Sequence, residues 1–556
     1  MQYKVKDKVF TLSIPFSYRG LRGEAGVSMI VPVTLATQSL DSASTYVSFG
    51  DEPIEAVRLL KPFEEGGFGL EELMIDFNRK LTPYGQVTEI VDRLLDEEVI
   101  PSSKVKLIPM VPARGAGGLR KTAILHSIIE ANYAAYGQLN DSVVSEVIHP
   151  VCGSVRDLVR VEANFNIIKN YVLESTLTPV DMGDISLIPA LEDLKSLIDA
   201  AKIVSEYVHS RRTMLATESE VLRVYLGRDV PSVKAGMAAS TIAVRLALSD
   251  LAETSEKLSV AVHPILESGS LPLKGNLNYE SVNSFMETYG GASTVTIQSS
   301  MVYDSSQRKT ADLVRCLKDS LQGRRPPCLS GERGEVLEVI SVFSAAYVEA
   351  ISKIYGLLES LAGLIPDRRE SLHNEKVKVN AEELSLPTRD KGRKGKGGRP
   401  PVHSFTLPPP VKYVALMYSL GVPPEIVGVG RALNMLSQTG LLDRVFELYY
   451  PSIEVDVSSA WRYLCLEAAG KVFPESFISD VKEDVKYIRE FLDPKDDFSV
   501  SHRALAMMIS EYVALKVIPE KQLRSSEVKE FVRNSTLEEA VRQIILQAGC
   551  IRGALG

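Results

Sequence analysis

His263-Pro-Ile-Leu-Glu-Ser-Gly-Ser-Leu-Pro-Leu-Lys-Gly-Asn-Leu277, followed after a helix-compatible stretch at 279–289 by Ser293-Thr-Val-Thr-Ile-Gln-Ser299, decides how this chain is read. Two apolar runs rich in β-branched residues, 259–265 and 293–299, flank a Gly/Pro loop that carries one cation, Lys274. The pattern predicts a strand–loop–helix–strand unit whose chemistry sits where the first strand stops.

Working outward, the unit repeats. Short apolar runs occur at 27–33, 73–77, 105–111, 144–151, 185–191, 222–227, 259–265 and 293–299, with helix-compatible segments such as 87–98, 122–136, 191–209 and 238–258 between them. Near-continuous apolar strands alternating with helices imply a parallel sheet covered by helices. Eight such units predict an α/β fold closed as a (β/α)8 TIM-like barrel over 28–304. An open doubly wound sheet gives the same periodicity. Residues 1–27 read as an N-terminal extension with one alternating run at 9–14. Residues 305–556 read as a large α-helical region packed on the barrel, with no strand alternating among its helices. Within it Arg389-Asp-Lys-Gly-Arg-Lys-Gly-Lys-Gly-Gly-Arg-Pro-Pro401 is too glycine-rich for a helix and reads as a mobile basic loop.

The net charge of −8 argues against a chain that spreads along nucleic acid. No apolar run is long enough to span a bilayer, and the N-terminal residues lack the apolar core of a signal peptide, so the expected location is cytoplasmic. Five scattered cysteines suit neither a disulfide framework nor a thiolate zinc site, and the seven histidines include no H-x-x-x-H pair.

In such a barrel the active site lies at the C-terminal ends of the strands. The residues expected there are Thr37, Gln38 and Asp41; Asp76 and Lys80; Arg114; Ser154 and Arg156; Glu192 and Asp193; Arg228 and Asp229; Lys274; and Gln298 and Ser299. Cations and carboxylates converging on one rim suit a small, multiply charged anion with a divalent metal. Strand ends are polar in any case, because loops face water, so each residue taken singly has that plainer explanation. Ala113-Arg-Gly-Ala-Gly-Gly-Leu-Arg-Lys-Thr122 follows a strand and opens a helix. It reads equally as an anion-binding turn and as a flexible crossover. Glu192, where a strand runs into a helix, suits a metal ligand or a favourable charge at the helix N-terminus.

Gly269-Ser-Leu-Pro-Leu-Lys-Gly275, with Thr294-Val-Thr-Ile-Gln-Ser299 and Tyr303-Asp304, resembles the archaeal-type phosphoenolpyruvate carboxylase family, which reads G-S-L-P-F-R-G and T-I-Q-S-A-F-R-Y-D there. Val31-Pro-Val-Thr-Leu-Ala-Thr-Gln-Ser-Leu-Asp41 resembles I-P-R-x-M-S-T-Q-H-P-D, and Glu72-Leu-Met-Ile-Asp-Phe-Asn-Arg-Lys80 resembles E-x-M-W-D-W-E-G-K. Ile188-Pro-Ala-Leu-Glu192 is similar to I-P-L-F-E, and Tyr418-Ser-Leu-Gly-Val-Pro-Pro-Glu-Ile-Val-Gly428 to Y-S-I-G-x-P-P-E-L-I-G. The resemblance implies a lyase that forms oxaloacetate and phosphate from phosphoenolpyruvate and bicarbonate with Mg2+ (or Mn2+). It also implies a barrel embedded in helices and a homo-oligomer, tetramer or dimer, acting without nucleic acid or membrane.

On that resemblance the metal ligands are Glu192 and, one residue before the aligned Val230, Asp229. The catalytic candidates are Lys274, Arg114, Ser39 and Gln298, with Asp304 in support. Arg228, Arg120, Lys121, Lys80 and Arg393 are the candidates for binding substrate. The chain departs from the family pattern where Ser39 replaces a histidine, where Val33, Met110, Val302 and Pro409 replace arginines, and where Lys274 keeps an arginine's charge without its bidentate fork. Removing one group that stabilises developing negative charge commonly costs a factor of roughly 10²–10³. The expectation is a weak carboxylase unless Arg114, Arg120, Lys121 or the 389–399 segment supplies replacement cations. The alternatives are a catalytically degenerate paralogue and a barrel enzyme for another small phosphorylated or keto acid.

Overall fold

Period-two alternation sets the inside of the sheet. Along Glu72-Leu-Met-Ile-Asp76 the odd members Glu72, Met74 and Asp76 share one face, and along His263-Pro-Ile-Leu-Glu267 so do His263, Ile265 and Glu267. The computed structural model, which describes residues 2–5, 8–11, 31–77, 86–99, 106–112, 117–151, 154–175, 182–218, 220–371, 376–380, 404–517 and 535–556, closes these strands into a ring. Strands β3 (Thr34–Thr37), β4 (Glu72–Asp76), β5 (Lys106–Met110), β6 (Glu146–Pro150), β7 (Ser186–Leu191), β8 (Val221–Leu226), β9 (Ala261–Leu266) and β10 (Thr294–Ile297) pair in parallel in chain order. Val295 opposite Thr34 completes the circle. The expected (β/α)8 barrel is therefore observed. Residues Met1–Val31 form a unit of their own, in which β1 (Gln2–Val5) pairs antiparallel with β2 (Lys8–Thr11).

The barrel interior is layered. At the N-terminal end Arg223 meets Glu72 through two parallel bonds of 2.8 and 2.7 Å and reaches Glu146 at 3.1 Å and Thr294 at 3.3 Å. Above it, Leu35, Met74, Ile108, Ile148, Ile188, Ala190, Tyr225 and Ile265 form a closed apolar plug. The buried arginine satisfies charges that the plug seals from water, and the plug makes the lumen a packed core rather than a pore. The next inward positions on the strands open at the C-terminal mouth.

Two expectations are corrected. The first barrel strand is Thr34–Thr37 and not the apolar run 27–33. The Glu71 carboxylate accepts the backbone N–H of Val33 (2.9 Å) and of Thr34 (3.1 Å), so a side chain takes the donors where the expected strand would have ended, and pairing with β10 and β4 centres on Leu35 and Ala36. The region after residue 304 is mostly helical but does contain strands. β11 (Val377–Asn380) and β12 (Ser404–Leu407) pair antiparallel, with Val377, Val379, Phe405 and Leu407 buried. Runs of four residues are too short for periodicity to detect among long helices. The basic segment 389–401 lies outside the described residues.

Helices cover the barrel and continue beyond it within the same unit, Pro32–Gly556. Helix Met237–Leu258 is buried on nearly every face along its first four turns, because Arg333–Ile351 packs on the side turned away from the strands. Among the described residues no helix is long and apolar enough to cross a membrane.

Candidate active site

Strand ends and two incoming segments enclose a cavity of about 270 Å3 at the mouth. The strands contribute Thr37, Met74, Asp76, Met110, Glu192, Tyr225, Glu267, Thr296 and Gln298; the loops add Ser39, Asp229 and Lys274. The helical region contributes Ile365 to Arg368 and Pro409 to Lys412.

The helix after β7 has a cap other than Glu192. Asp193 caps that helix, its carboxylate accepting the N–H of Ser196 at 2.8 Å in a reciprocal capping box. The capping role is thus filled by the neighbour, and Glu192 is turned to the cavity. Gly227 permits this: a Cβ there would stand 3.0 Å from Glu192 Cα and 3.1 Å from its Cγ. Asp229 opens the next helix and meets Lys274 Nζ at 3.2 Å through Oδ2. Its other oxygen, Oδ1, and the Oε1 of Gln298 are buried with no hydrogen-bond partner among the described residues. Gly269 makes room for that pair of groups, since a Cβ on it would lie 2.5 Å from Gln298 Oε1 and 3.0 Å from the Lys274 side chain.

Glu267 is the site residue that sequence reasoning missed. It is the inward residue two past Ile265 on β9, so the strand's own alternation carried the signal, obscured by placing the strand end at 265. Its carboxylate accepts the backbone N–H of Arg228 (2.6 Å) and of Asp229 (3.0 Å) at a helix start. Burial and the adjacent Asp229 charge nevertheless raise its pKa. Burial works against the Lys274 charge, but Asp229, Asp41 and Glu267 outweigh it and hold the ammonium above its usual range. The Tyr225 phenol, on the cavity floor, is raised well above 10 by burial and then by Glu267, Glu192, Asp229 and Asp76. All four of these carboxylates line the same cavity.

Other sequence candidates fall elsewhere. Arg228 is fully buried behind the loop, donating to Thr241 at 2.8 Å and to the carbonyls of Pro272 and Leu273 at 3.3 Å; its guanidinium does not line the cavity. Lys121 bonds Nε2 of His149 at 2.7 Å. His149 neighbours the inward Ile148 and therefore points out of the barrel, which takes Lys121 away from the mouth. Burial and the Lys121 charge lower the His149 pKa to about 4. Ser39 lines the cavity, but its hydroxyl donates to Asp41 and accepts the N–H of Ser299 at 2.8 Å. Asp304 holds the rim loop by accepting Ser42 Oγ (2.9 Å) and the N–H groups of Ala43 (2.6 Å) and Ser44 (2.9 Å). Lys80, Arg114 and Arg393, and the side chain of Arg120, lie outside the described residues. Two cations not foreseen, Arg368 and Lys412, line the cavity from the helical region.

Among the described residues no three His, Cys, Asp or Glu groups stand in a ready metal-binding cluster. Magnesium keeps several waters and takes one or two protein carboxylates plus substrate oxygens, so it needs no such cluster. The partnerless Oδ1 of Asp229, beside Glu192 and Glu267, is the kind of donor such an ion takes up.

Comparison with known proteins identifies the family. A family profile described as phosphoenolpyruvate carboxylase matches residues 31–556. A phosphoenolpyruvate carboxylase from Methanosarcina mazei is 28% identical over 538 residues, covering 94% of this chain and 99% of the relative. One from Methanopyrus kandleri is 30% identical over 543 residues, covering 94% and 98%. One from Pyrococcus horikoshii is 26% identical over 442 residues, covering 76% and 87%. Members of this family generally require a divalent metal ion. The chain belongs to the phosphoenolpyruvate carboxylase family, as a divergent member of the archaeal type.

Proposed function

We propose that the barrel mouth forms oxaloacetate and phosphate from phosphoenolpyruvate and bicarbonate with a rearranged set of charged groups. The observation that carries this reading is the convergence of Glu192, Asp229, Glu267, Lys274 and Gln298 on one small cavity at the expected end of the barrel. Glu192 and Asp229 would hold Mg2+, or Mn2+, with the Gln298 oxygen turned toward the same space. The ion supplies charge neutralisation for the phosphoryl group and the enolate left when it departs.

The protein's part is positional. Lys274, charged and nearly enclosed, faces the oxygens on which negative charge develops, where a preorganised cation gains most because water is excluded. Arg368 and Lys412 line the cavity from the helical region and would take the anion-binding part of the barrel arginine replaced by Met110. Lys412 is balanced by Asp367 at 2.9 Å. The Nε of Arg368 has no hydrogen-bond partner among the described residues. Ser39, committed to Asp41 and Ser299, serves the rim and not proton transfer. The family resemblance supports a cytoplasmic homo-oligomer, for which light scattering gives the subunit number.

The test is direct. Purified protein with phosphoenolpyruvate, bicarbonate and Mg2+ is expected to consume NADH in a malate dehydrogenase-coupled assay and to release phosphate stoichiometrically. No rate above the blank with either metal overturns the reading. A second reading, a paralogue that keeps the fold and assembles with an active partner, is favoured by the structural commitment of Ser39 at the family's histidine position. Under it Ser39→His leaves the cellular role unchanged, and a deletion phenotype cured only by an active carboxylase counts against it.

A further inference from the structure

Lys274 rides on a loop that is shaped by itself but located by others. Within the loop, Gly269 N–H bonds Lys274 O at 2.7 Å, Asn276 N–H bonds Leu271 O at 2.9 Å, and Leu277 N–H bonds Gly269 O at 2.9 Å. These bonds fix its curvature and leave open where it stands relative to the cavity. Three buried side chains supply that placement. Arg228, from the barrel, donates to the carbonyls of Pro272 and Leu273. Glu425, in the Pro-Pro-Glu turn of the helical region, accepts the Leu273 N–H at 2.9 Å through Oε1, which also receives the Tyr418 hydroxyl at 3.0 Å. Asp456 accepts the side-chain amide of Asn276 at 2.8 Å and the Tyr450 hydroxyl at 2.6 Å. One carboxylate therefore holds the residue before Lys274, and the other holds the residue two after it.

Both acids are costly where they are. Among the described residues neither has an ion pair, Glu425 is fully buried, and its Oε2 has no hydrogen-bond partner. Burial pushes Glu425 up to about 7 and Asp456 up to about 6. Well-packed apolar residues generally stabilise an interior more than buried charge does. Stability thus gives no reason for two carboxylates at these positions, whereas placing a loop by directional bonds does.

We infer that Glu425 and Asp456 are positioning residues through which the helical region holds the Lys274 ammonium at the barrel mouth. The inference rests on Lys274 being a working cation of the proposed reaction, where a displacement of about 1 Å can cost about a hundredfold in rate. It also gives the Tyr418–Gly428 motif, which contributes nothing to the cavity wall, a task in the site.

The test separates the clamp from the activity. Full-length protein is given a limiting pulse of an amine-acylating ester, and modification of Lys274 is compared with that of exposed Lys257 in the same sample. Glu425→Leu removes one tie. Asn276→Gly removes the other without touching a helix, and glycine accepts the +61° φ of that position. Both variants are expected to raise Lys274 modification about fivefold or more and to speed hydrogen exchange at 269–277, while Glu425→Gln, which keeps the oxygen acceptor, stays within about twofold of wild type. In the coupled assay the first two should lose about tenfold or more in kcat with a smaller change in the phosphoenolpyruvate KM, and Glu425→Gln should restore most of it. Unchanged modification and exchange in both Glu425→Leu and Asn276→Gly overturns the inference, and so does equal exposure of Lys274 in Glu425→Gln and Glu425→Leu. A wild-type protein with no carboxylase activity, whose variants still unmask Lys274, removes the catalytic reading and leaves the clamp in place.

Discussion

The two sides of the barrel mouth differ in kind. On the β7–β10 side the inward residues are Glu192, Tyr225, Glu267 and Gln298, with Asp229 and Lys274 beside them, and the loop they share is tied to the helical region by buried bonds. On the β3–β5 side the described residues offer Thr37, Met74 and Met110, with Asp76 as the carboxylate of that wall. Polar residues at the first are held at a cost in desolvation; at the second, the position where the family places an arginine at the end of β5 carries Met110, while Val33 lies at the opposite end of β3. On the proposed function, the β7–β10 side is the one that would hold metal and cation, and recognition of the anion would fall to residues 365–368 and 409–412.

The largest test of that contrast is at Glu192. Glu192→Ala should lower kcat by about 10³ or more, because it removes a metal-holding charge from the water-poor mouth. It should also abolish the rise in Tm that Mg2+ gives the wild type, since a ligand stabilises only the state that binds it. An unchanged Mg2+-dependent Tm places the metal elsewhere. Next is Lys274→Ala, with an expected loss of roughly 10²–10³ in kcat for one charge-stabilising group. A loss confined to KM would make Lys274 a binding group rather than one acting on developing charge.

The bracing of the preserved side carries a pH signature. Glu425 faces Tyr418, Tyr413, Tyr347, Asp456 and Arg552, and its pKa is raised from 4.5 to about 7 by burial. The folded state therefore holds a proton that the unfolded state has released. This contribution is full below pH 4.5 and is lost as pH rises through about 7. Glu425→Gln has no such proton, so the stability difference between variant and wild type should shift in the variant's favour by about 3 kcal/mol between pH 4.5 and 8, read from urea denaturation. His502, lowered to about 3 by burial and Arg552, has the opposite slope in both proteins and cancels. A constant difference across this range means that the carboxyl is not perturbed.

Sequence patterning disclosed the barrel because each strand is a short apolar run bounded by turn residues, a signal independent of tertiary context. It also placed Glu192 and Gln298, which follow strands directly, and Asp229 and Lys274, which lie just beyond the strand ends. It mislocated β3 because Thr34-Leu-Ala-Thr37 is less hydrophobic than the 27–33 run, and a long-range bond from Glu71 decides which of the two pairs. Glu267 was hidden by a strand boundary one residue short. Arg228 looked like a rim cation from its place after β8, yet its side chain turns back beneath the loop, a direction set by Thr241, some thirteen residues away on the next helix. Arg368 and Lys412 were beyond reach for a different reason: they arrive from roughly 70 and 115 residues downstream of β10, and no local pattern marks a residue that enters a site from another layer.

Arg368 is where the contrast can be broken with the least collateral damage. Its backbone carbonyl accepts the Val47 N–H at 3.0 Å, which any residue there would preserve, and the residue lines the cavity, with Asp304 the carboxylate whose charge acts on its guanidinium. Burial lowers its pKa against the pull of Asp304, so the guanidinium is partly stripped of water and would gain by meeting an anion. Arg368→Ala should therefore raise the phosphoenolpyruvate KM about tenfold with kcat nearly unchanged, a loss of about 1.4 kcal/mol of uniform binding. Arg368→Lys should recover part of it, since charge is kept and the planar fork is lost. If Arg368→Ala leaves KM and its salt dependence where they were, anion recognition belongs instead to the barrel loops after β4 and β5, and the two sides of the mouth are more alike than their described residues show.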